Sequence, residues 1–164
     1  MIDSNTIRVA RPDEAGILSS LALRSKAHWG YSREFIESCR DELTYESDQI
    51  ADDDYFFAIA ESDSMVAGFY ALASISARQF ELEALFVEPK YIGKGIGRTL
   101  LQNALKVVAE RSGESILIQG DPNAEKFYLA AGAQQIGTRE SGSIAGRSLP
   151  LFEILIRPTG TSHL

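Results

Sequence analysis

The stretch Glu81-Leu-Glu-Ala-Leu-Phe-Val-Glu-Pro-Lys-Tyr-Ile-Gly-Lys-Gly-Ile-Gly-Arg-Thr-Leu-Leu101 decides how this chain folds. It starts as a strand. Leu82, Leu85, Phe86 and Val87 are apolar and strand-competent, and Pro89, with no N–H to donate, stops the ladder. It ends as a helix, with Ile96, Leu100, Leu101, Ala104, Leu105 and Val108 at helical spacing. Between them, Gly93-Lys94-Gly95-Ile96-Gly97 lets the backbone turn tightly and approach a ligand closely. Free N–H groups at a helix N-terminus, aided by the macrodipole, favour an anion. A strand, a glycine loop and a helix in this order read as a phosphate cradle.

Two familiar cradles do not fit. A nucleotide P-loop requires four residues between its glycines and then Lys-Ser/Thr, but Gly93-Lys94 is followed by Gly95. The dinucleotide fingerprint G-x-G-x-x-G fails in both registers, where Arg98 or Leu100 takes the last glycine.

Working outward, residues 6–10 read as a first strand. Arg11-Pro12-Asp13-Glu14 opens a helix running to about Ala27, with Leu18, Leu21, Ala22 and Ser25 on its inner stripe. Gly30 breaks the chain. Ser32 caps a second helix that buries Phe35, Ile36, Cys39 and Leu43. Residues 44–54 are polar and acidic and read as a loop. An antiparallel meander follows: strands at 55–61, 65–75 and 80–87, with turns at 62–64 and 77–78. The helix from Gly95 ends near Gly113. Residues 115–119 form a strand parallel to 80–87, because strand, helix, strand over this distance implies a right-handed crossover. Asp121-Pro122 starts a helix closed by Gly132, with Ala124, Phe127, Tyr128 and Ala131 on one face. Strands at 133–138 and 149–156 flank a loop at 140–148, and 158–164 reads as a flexible tail. Residues 1–157 thus read as one domain with a mixed α/β sheet in the order β-α-α-β-β-β-α-β-α-β-β.

The chain has 164 residues, 45% of them hydrophobic and 24% charged, as expected for an ordinary globular domain. A net charge of −7 argues against a general nucleic-acid binder, which needs a basic footprint, and suits cationic acceptors such as amines. The single Cys39 excludes an intramolecular disulfide and a cysteine-built metal site, and no other pattern asks for a metal. No basic segment followed by an apolar run opens the chain, and no apolar segment reaches membrane-spanning length. A reducing cytoplasm is the expected compartment, with no membrane partner. A homodimer is compatible with the sequence.

The central stretch resembles motif A of the GNAT superfamily of N-acetyltransferases, R/Q-x-x-G-x-G/A after a strand ending in Val-x-Pro. Here it reads Ile92-Gly-Lys-Gly95-Ile-Gly97 after Val87-Glu-Pro89, with Ile92 in place of the usual Arg or Gln. The element order matches that fold along nearly the whole chain. The resemblance implies a GNAT-like acyl-coenzyme A N-acyltransferase fold and acetyl-coenzyme A as cosubstrate. It also implies that Phe86, Val87, Ile92, Gly93, Lys94, Gly95, Ile96, Gly97 and Arg98 bind that cosubstrate, the loop gripping its pyrophosphate through backbone amides. The segment Asn123-Ala-Glu-Lys-Phe127-Tyr128 resembles motif B, Asn-x-x-x-x-Tyr with a closing glycine. There the tyrosine hydroxyl meets the coenzyme A sulfur as general acid and Asn123 contacts the cofactor arm. A phenol of pKa about 10 and a thiol of about 8.5 share a proton without a large penalty.

Acyl transfer to an amine also needs a proton acceptor and a donor for the oxyanion. Alternation puts Glu81 and Glu83 on the strand face shared by Leu85 and Val87. By resemblance, the general base stands six residues before the strand's last valine, at Glu81, with Glu83 second. The resemblance also implies an oxyanion donor among the backbone N–H groups near Val87, where a bulge splays two parallel strands. It places Lys26 to Tyr31 over the acceptor site. Trp29 and Tyr31 are candidates to wall an aromatic or cationic acceptor, beside His28 and Arg147, although Trp29 reads more simply as a hydrophobic plug holding two helices on the sheet. Residues 141–150 resemble a loop pattern of one bacterial subset of these acetyltransferases.

The expected activity is acetyl transfer from acetyl-coenzyme A to the primary amine of a small molecule or peptide, by direct attack in a ternary complex. A non-catalytic acyl-coenzyme A sensor on the same fold is the alternative, and a nucleotide-binding regulator a distant third.

Overall fold

The computed structural model of the protein describes residues 6–156. The strands are β1 (Thr6–Val9), β2 (Tyr55–Ser62), β3 (Met65–Ser74), β4 (Gln79–Val87), β5 (Ser115–Gln119), β6 (Gln134–Glu140) and β7 (Ser148–Leu155). The helices are α1 (Ala15–Ala27), α2 (Arg33–Cys39), α3 (Ser47–Ala51), α4 (Ile96–Glu110) and α5 (Glu125–Ala130). All the strands join one sheet in the order β1-β2-β3-β4-β5-β7-β6. β2, β3 and β4 form the antiparallel meander, and β1 pairs antiparallel with β2 at its outer edge. After β4 the chain crosses back through α4, so β5 lies parallel to β4.

The centre of the sheet is buried on both faces. One face packs Phe80, Leu82, Ile116 and Phe152 against the Ile96, Leu100, Leu101, Ala104 and Val108 stripe of α4. The other packs Phe57, Ile59, Phe69 and Ala84 against Leu18, Leu21 and Ala22 of α1. Among the described residues no helix is long and apolar enough to cross a membrane.

Several elements differ from the sequence reading. The polar stretch 44–54 contains α3, which buries only Ile50 and so shows little periodicity. Helix α4 ends at Glu110, ahead of Gly113, because Ser112 takes the left-handed conformation (φ 63°) and the Gly113 N–H returns to the Val108 carbonyl at 2.8 Å. The segment after Asp121 opens as a 3-10 turn, Pro122–Ala124, capped by the Asp121 side chain, and Ala131 lies exposed beyond α5. The tail expected at 158–164 lies outside the described residues.

The departure that matters for function is in β4. Leu82 stands opposite Leu72 and Ala84 opposite Ala71, so Glu83 is an unpaired extra residue, a β-bulge. An extra residue reverses the alternation beyond it. Phe80 and Leu82 face α4 before the bulge, and Leu85 and Val87 face it after, while Ala84 and Phe86 face the α1 side. Glu81 and Glu83 therefore do not share a face with Leu85 and Val87. They lie on the opposite side, and Glu83 acts electrostatically on Tyr45 in the α1-side core. The parallel pairing of β4 with β5 also stops at Leu82–Ile118, so the strands part at the bulge rather than at Val87.

Entry into α1 is held by Glu14, whose side chain is only 4% exposed. Its carboxylate accepts from Arg8 Nη1 (3.0 Å) and Nη2 (2.7 Å) and from the Arg11 N–H (2.8 Å). The Arg8 hydrogen bonds, working against burial, hold the Glu14 carboxyl down at about 2, from an ordinary 4.5. A carboxyl depressed in the folded state contributes stability that is complete above its unfolded value and lost as pH falls through the folded one. Roughly 3 kcal/mol is the upper bound for that contribution. Unfolding titrations of the wild type should therefore lose stability between pH 4.5 and about 2. Glu14→Gln should be less stable at neutral pH and lack that part of the slope. Parallel pH profiles for the two proteins would contradict the assignment.

Candidate active site

Where β4 parts from β5, a cavity of about 840 Å³ opens, bounded by residues 81–87 of β4, the glycine loop, the start of α5, the end of α2 and the loop between β6 and β7. Antiparallel pairing directs alternate amides toward the partner strand. The Glu88 N–H bonds the Ala67 carbonyl at 2.8 Å, which puts the Phe86 N–H on the β3 side as well. The amides of Leu85 and Val87 then point away from β3, into the gap that β5 has left.

The glycine loop forms one end of the cavity. Gly93 and Gly95 have φ of 86° and 84°, a left-handed conformation that L side chains rarely adopt. Gly95 caps α4. Among the described residues the successive amides from Gly93 to Arg98 bond no backbone carbonyl, and the ladder begins with the Thr99 N–H to the Gly95 carbonyl (3.1 Å). This is a run of outward-facing donors at the positive end of a long helix. Ile92, Gly93, Gly95, Ile96, Gly97 and Arg98 line the cavity; Lys94 does not, and its Nζ stands 5.9 Å from the Tyr91 ring. A Cβ at Gly97 would meet the Phe127 ring at 3.5 Å, an ordinary contact, so a larger side chain is what this position excludes.

Tyr128, from α5, closes the floor. Its ring lies edge-on to Phe127 (5.2 Å between centroids) and tilted on Phe152 (5.9 Å). It is 7% exposed, and its hydroxyl has no hydrogen-bond partner among the described residues. Burial, and secondarily the Asp121 carboxylate, push its ionisation well above a phenol's usual value, so the hydroxyl keeps its proton.

A polar network roofs the cavity. Lys26 Nζ contacts Asp121 Oδ2 at 2.6 Å, and the Tyr31 hydroxyl donates to Asp121 (2.9 Å). The same hydroxyl accepts from Asn123 Nδ2 (3.0 Å) and Arg147 Nη2 (3.3 Å). Burial acts to raise the Asp121 carboxyl, but hydrogen bonds from Lys26, the Asn123 amide and Tyr31 hold it below the usual range. The Tyr31 ring stacks on Phe35 at 4.2 Å, and the Arg147 guanidinium sits 4.8 Å over Phe35.

Of the acceptor-side candidates, Trp29 and Arg147 line the cavity, whereas His28 and Tyr31 do not. Trp29 is 47% exposed, with the His28 ring edge-on at 5.3 Å, so it is no plug between helices; α1 and α2 are held by Leu18, Leu21, Cys39 and Leu43 instead. Asn123 lines the cavity while its side-chain amide also bonds Tyr31 and Asp121.

Glu81 and Glu83 both line the opposite wall. Glu81 accepts from Arg139 Nη1 at 2.8 Å. Glu83 has no hydrogen-bond or ion-pair partner among the described residues. Burial first, then Glu81 and Glu42, raise its carboxyl above the ordinary value, against a smaller opposing effect of Arg139. Glu42, Tyr45, Gln119 and Arg139 belong to this site and were not singled out in the sequence. Glu42 and Tyr45 come from the irregular segment after α2, Gln119 from the end of β5 and Arg139 from the edge strand β6, and the only sequence signal among them is an isolated aromatic, Tyr45, in an acidic stretch.

The comparisons with known proteins place this fold among acyltransferases. The family model for an acetyltransferase (GNAT) domain matches residues 14–142. The chain belongs to the GNAT acetyltransferase family. It is similar to the PaiA N-acetyltransferase of Thermoplasma acidophilum, solved in complex with coenzyme A, at 27% identity and a TM-score of 0.78, over 93% of this chain and 99% of that one. It shares its fold with the ribosomal-protein-S18-alanine N-acetyltransferase of Escherichia coli (17% identity, TM-score 0.70, over 98% and 99% of the two chains). An aminoglycoside 6'-N-acetyltransferase complexed with coenzyme A shares it too (18% identity, TM-score 0.70, 93% and 98%). No curated protein matches the chain.

A buried hydroxyl without a partner loses its water and gains nothing within the protein. Tyr128→Phe should therefore leave stability unchanged or raise it by up to about 1 kcal/mol. A clear fall in the unfolding midpoint would show that the hydroxyl has a partner in the folded protein.

Proposed function

We propose that the protein is an acetyl-coenzyme A-dependent N-acetyltransferase acting on a primary amine by direct attack in a ternary complex. The observation that carries this reading is the alignment of unpaired donors along one cavity in a GNAT chain: the amides of Gly93 to Arg98, those of Leu85 and Val87, and the Tyr128 hydroxyl. The first group suits a pyrophosphate. The coenzyme A in the related structures supports the same cosubstrate here. Because the grip is made by backbone, Ile92 in place of Arg or Gln removes only a side-chain contact.

The acyl carbonyl lies along the parted edge of β4, where the Val87 and Leu85 amides stabilise its developing negative charge. The acceptor ammonium approaches from the Glu81–Glu83 wall and gives its proton to Glu83. The neutral amine then attacks the thioester carbon to form the N–C bond. As the C–S bond breaks, the Tyr128 hydroxyl passes its proton to the departing thiolate and takes up the extra proton still held by the new amide nitrogen, while Glu83 releases its proton to solvent. The roles of Glu81 and Glu83 thus exchange relative to the order implied by the family's spacing. Glu81 is engaged by the ion pair with Arg139, while Glu83, unpartnered among the described residues and with a raised carboxyl, is the better base. The reading requires a compartment that supplies acetyl-coenzyme A, such as the cytoplasm.

As a base Glu83 works only when ionised, so its titration sets the acidic limb of the kcat/KM profile. Glu83→Gln should abolish that limb and reduce turnover by roughly a hundredfold. Glu81 raises the Glu83 carboxyl and Arg139 lowers it, so Glu81→Gln should move the limb to lower pH and keep it. A limb that disappears with Glu81→Gln and survives Glu83→Gln would return the base to Glu81.

A further inference from the structure

The acceptor wall holds more uncompensated negative charge than one amine neutralises. Glu81 has its cation in Arg139, whereas Glu42 and Glu83 pair with none among the described residues. Glu42 receives only a hydrogen bond from the Ser143 hydroxyl, which holds it from the β6–β7 loop. Both carboxylates line the cavity and act on Tyr45, which lines it too.

Tyr45 is the second observation. Its ring is fixed edge-on between Phe57 (5.7 Å) and Phe69 (5.5 Å), and its backbone N–H is held by Ser19 Oγ at 2.8 Å. It is 7% exposed, and its hydroxyl has no hydrogen-bond partner among the described residues. Burial, then Glu83 and Glu42, push its ionisation well up, so the hydroxyl is neutral and its oxygen is free to accept. A phenylalanine would fill the same space without an orphaned polar atom. Tyr128 waits in the same state at the cosubstrate end of the cavity.

We propose that Glu42, Glu83 and Tyr45 form a two-cation acceptor subsite. Glu83 faces the ammonium that reacts, the Tyr45 oxygen accepts a hydrogen bond from an acceptor N–H, and Glu42 takes a second positive charge on the same molecule. The acceptor is then an amine with another cationic group along its chain. A singly charged amine leaves one carboxylate of the wall uncompensated beside the other, and the second charge removes that repulsion.

The proposal rests on acetyl transfer to amines at this site, and two readouts keep them apart. Binding by calorimetry and acetyl-coenzyme A-dependent turnover are measured for n-alkylamines and α,ω-diamines of matched chain length, n-butylamine and putrescine being the first pair. The diamines should bind the wild type about tenfold or more tightly than their monoamine partners. Glu42→Gln should bring that ratio close to one. Tyr45→Phe should weaken binding of both kinds of amine while its unfolding midpoint stays level or rises. Equal affinities across the matched series in the wild type, or a ratio untouched by Glu42→Gln, would overturn the second-cation role. Unchanged amine binding in Tyr45→Phe would overturn the role of the hydroxyl. Diamine selectivity that depends on Glu42 without any turnover would uphold the subsite and defeat the acetyl-transfer reading instead.

Discussion

A single extra residue in a central strand, Glu83, is the constraint from which the site follows. Pairing opposite β3 resumes at Ala84, so β4 stays anchored on that side as far as Val87. On the other side the pairing with β5 ends at Leu82, and β5 keeps its full register with β7. The gap therefore lies between two strands that are each held by another neighbour, with α4 packed on one face and α1 on the other. Strand amides left unpaired inside a sheet cost about 1–3 kcal/mol each when buried. Here that cost is borne at the edge of the cavity, and the bulge also turns Glu81 and Glu83 to the wall opposite α4.

Charge sorts the two ends of the cavity. The α4 N-terminus, with Arg98 beside it, offers donors and positive potential to an anion. The far wall offers Glu42, Glu81 and Glu83 to a cation. Between them, Lys26, Asp121, Tyr31, Asn123 and Arg147 link α1, the β5–α5 turn and the β6–β7 loop through contacts of 2.6 to 3.3 Å. Lys26 and Asp121 are each less than a fifth exposed, which makes this pair stronger than an ordinary surface salt bridge. It fixes the roof of the cavity.

The parts legible in the sequence were those where neighbours in the chain are neighbours in the structure. The glycine loop, the α4 stripe and the place of Tyr128 on α5 depend on local spacing, and local spacing survives folding. The bulge was not legible: residues 79–87 alternate without a glycine or proline to mark a break, and only pairing with β3 shows which residue is extra. That one slip moved both glutamates to the other face. Glu42 and Tyr45 were not legible because they lie in the irregular segment between α2 and α3, where no period marks which side chains turn inward. Trp29 was misjudged since an apolar side chain between two helices resembles a plug unless the smaller residues beneath it already fill the core, as Leu18, Leu21, Cys39 and Leu43 do.

The central claim is that the parted edge of β4 and the start of α4 are one ligand-binding line of backbone donors. Residue-resolved amide hydrogen exchange, with and without acetyl-coenzyme A, tests it most directly. The account predicts strong new protection at Leu85, Val87 and from Gly93 to Arg98, with little change at Phe86, whose amide faces β3. Saturating acetyl-coenzyme A that leaves the amides of Leu85, Val87 and the glycine loop exchanging as before would contradict it.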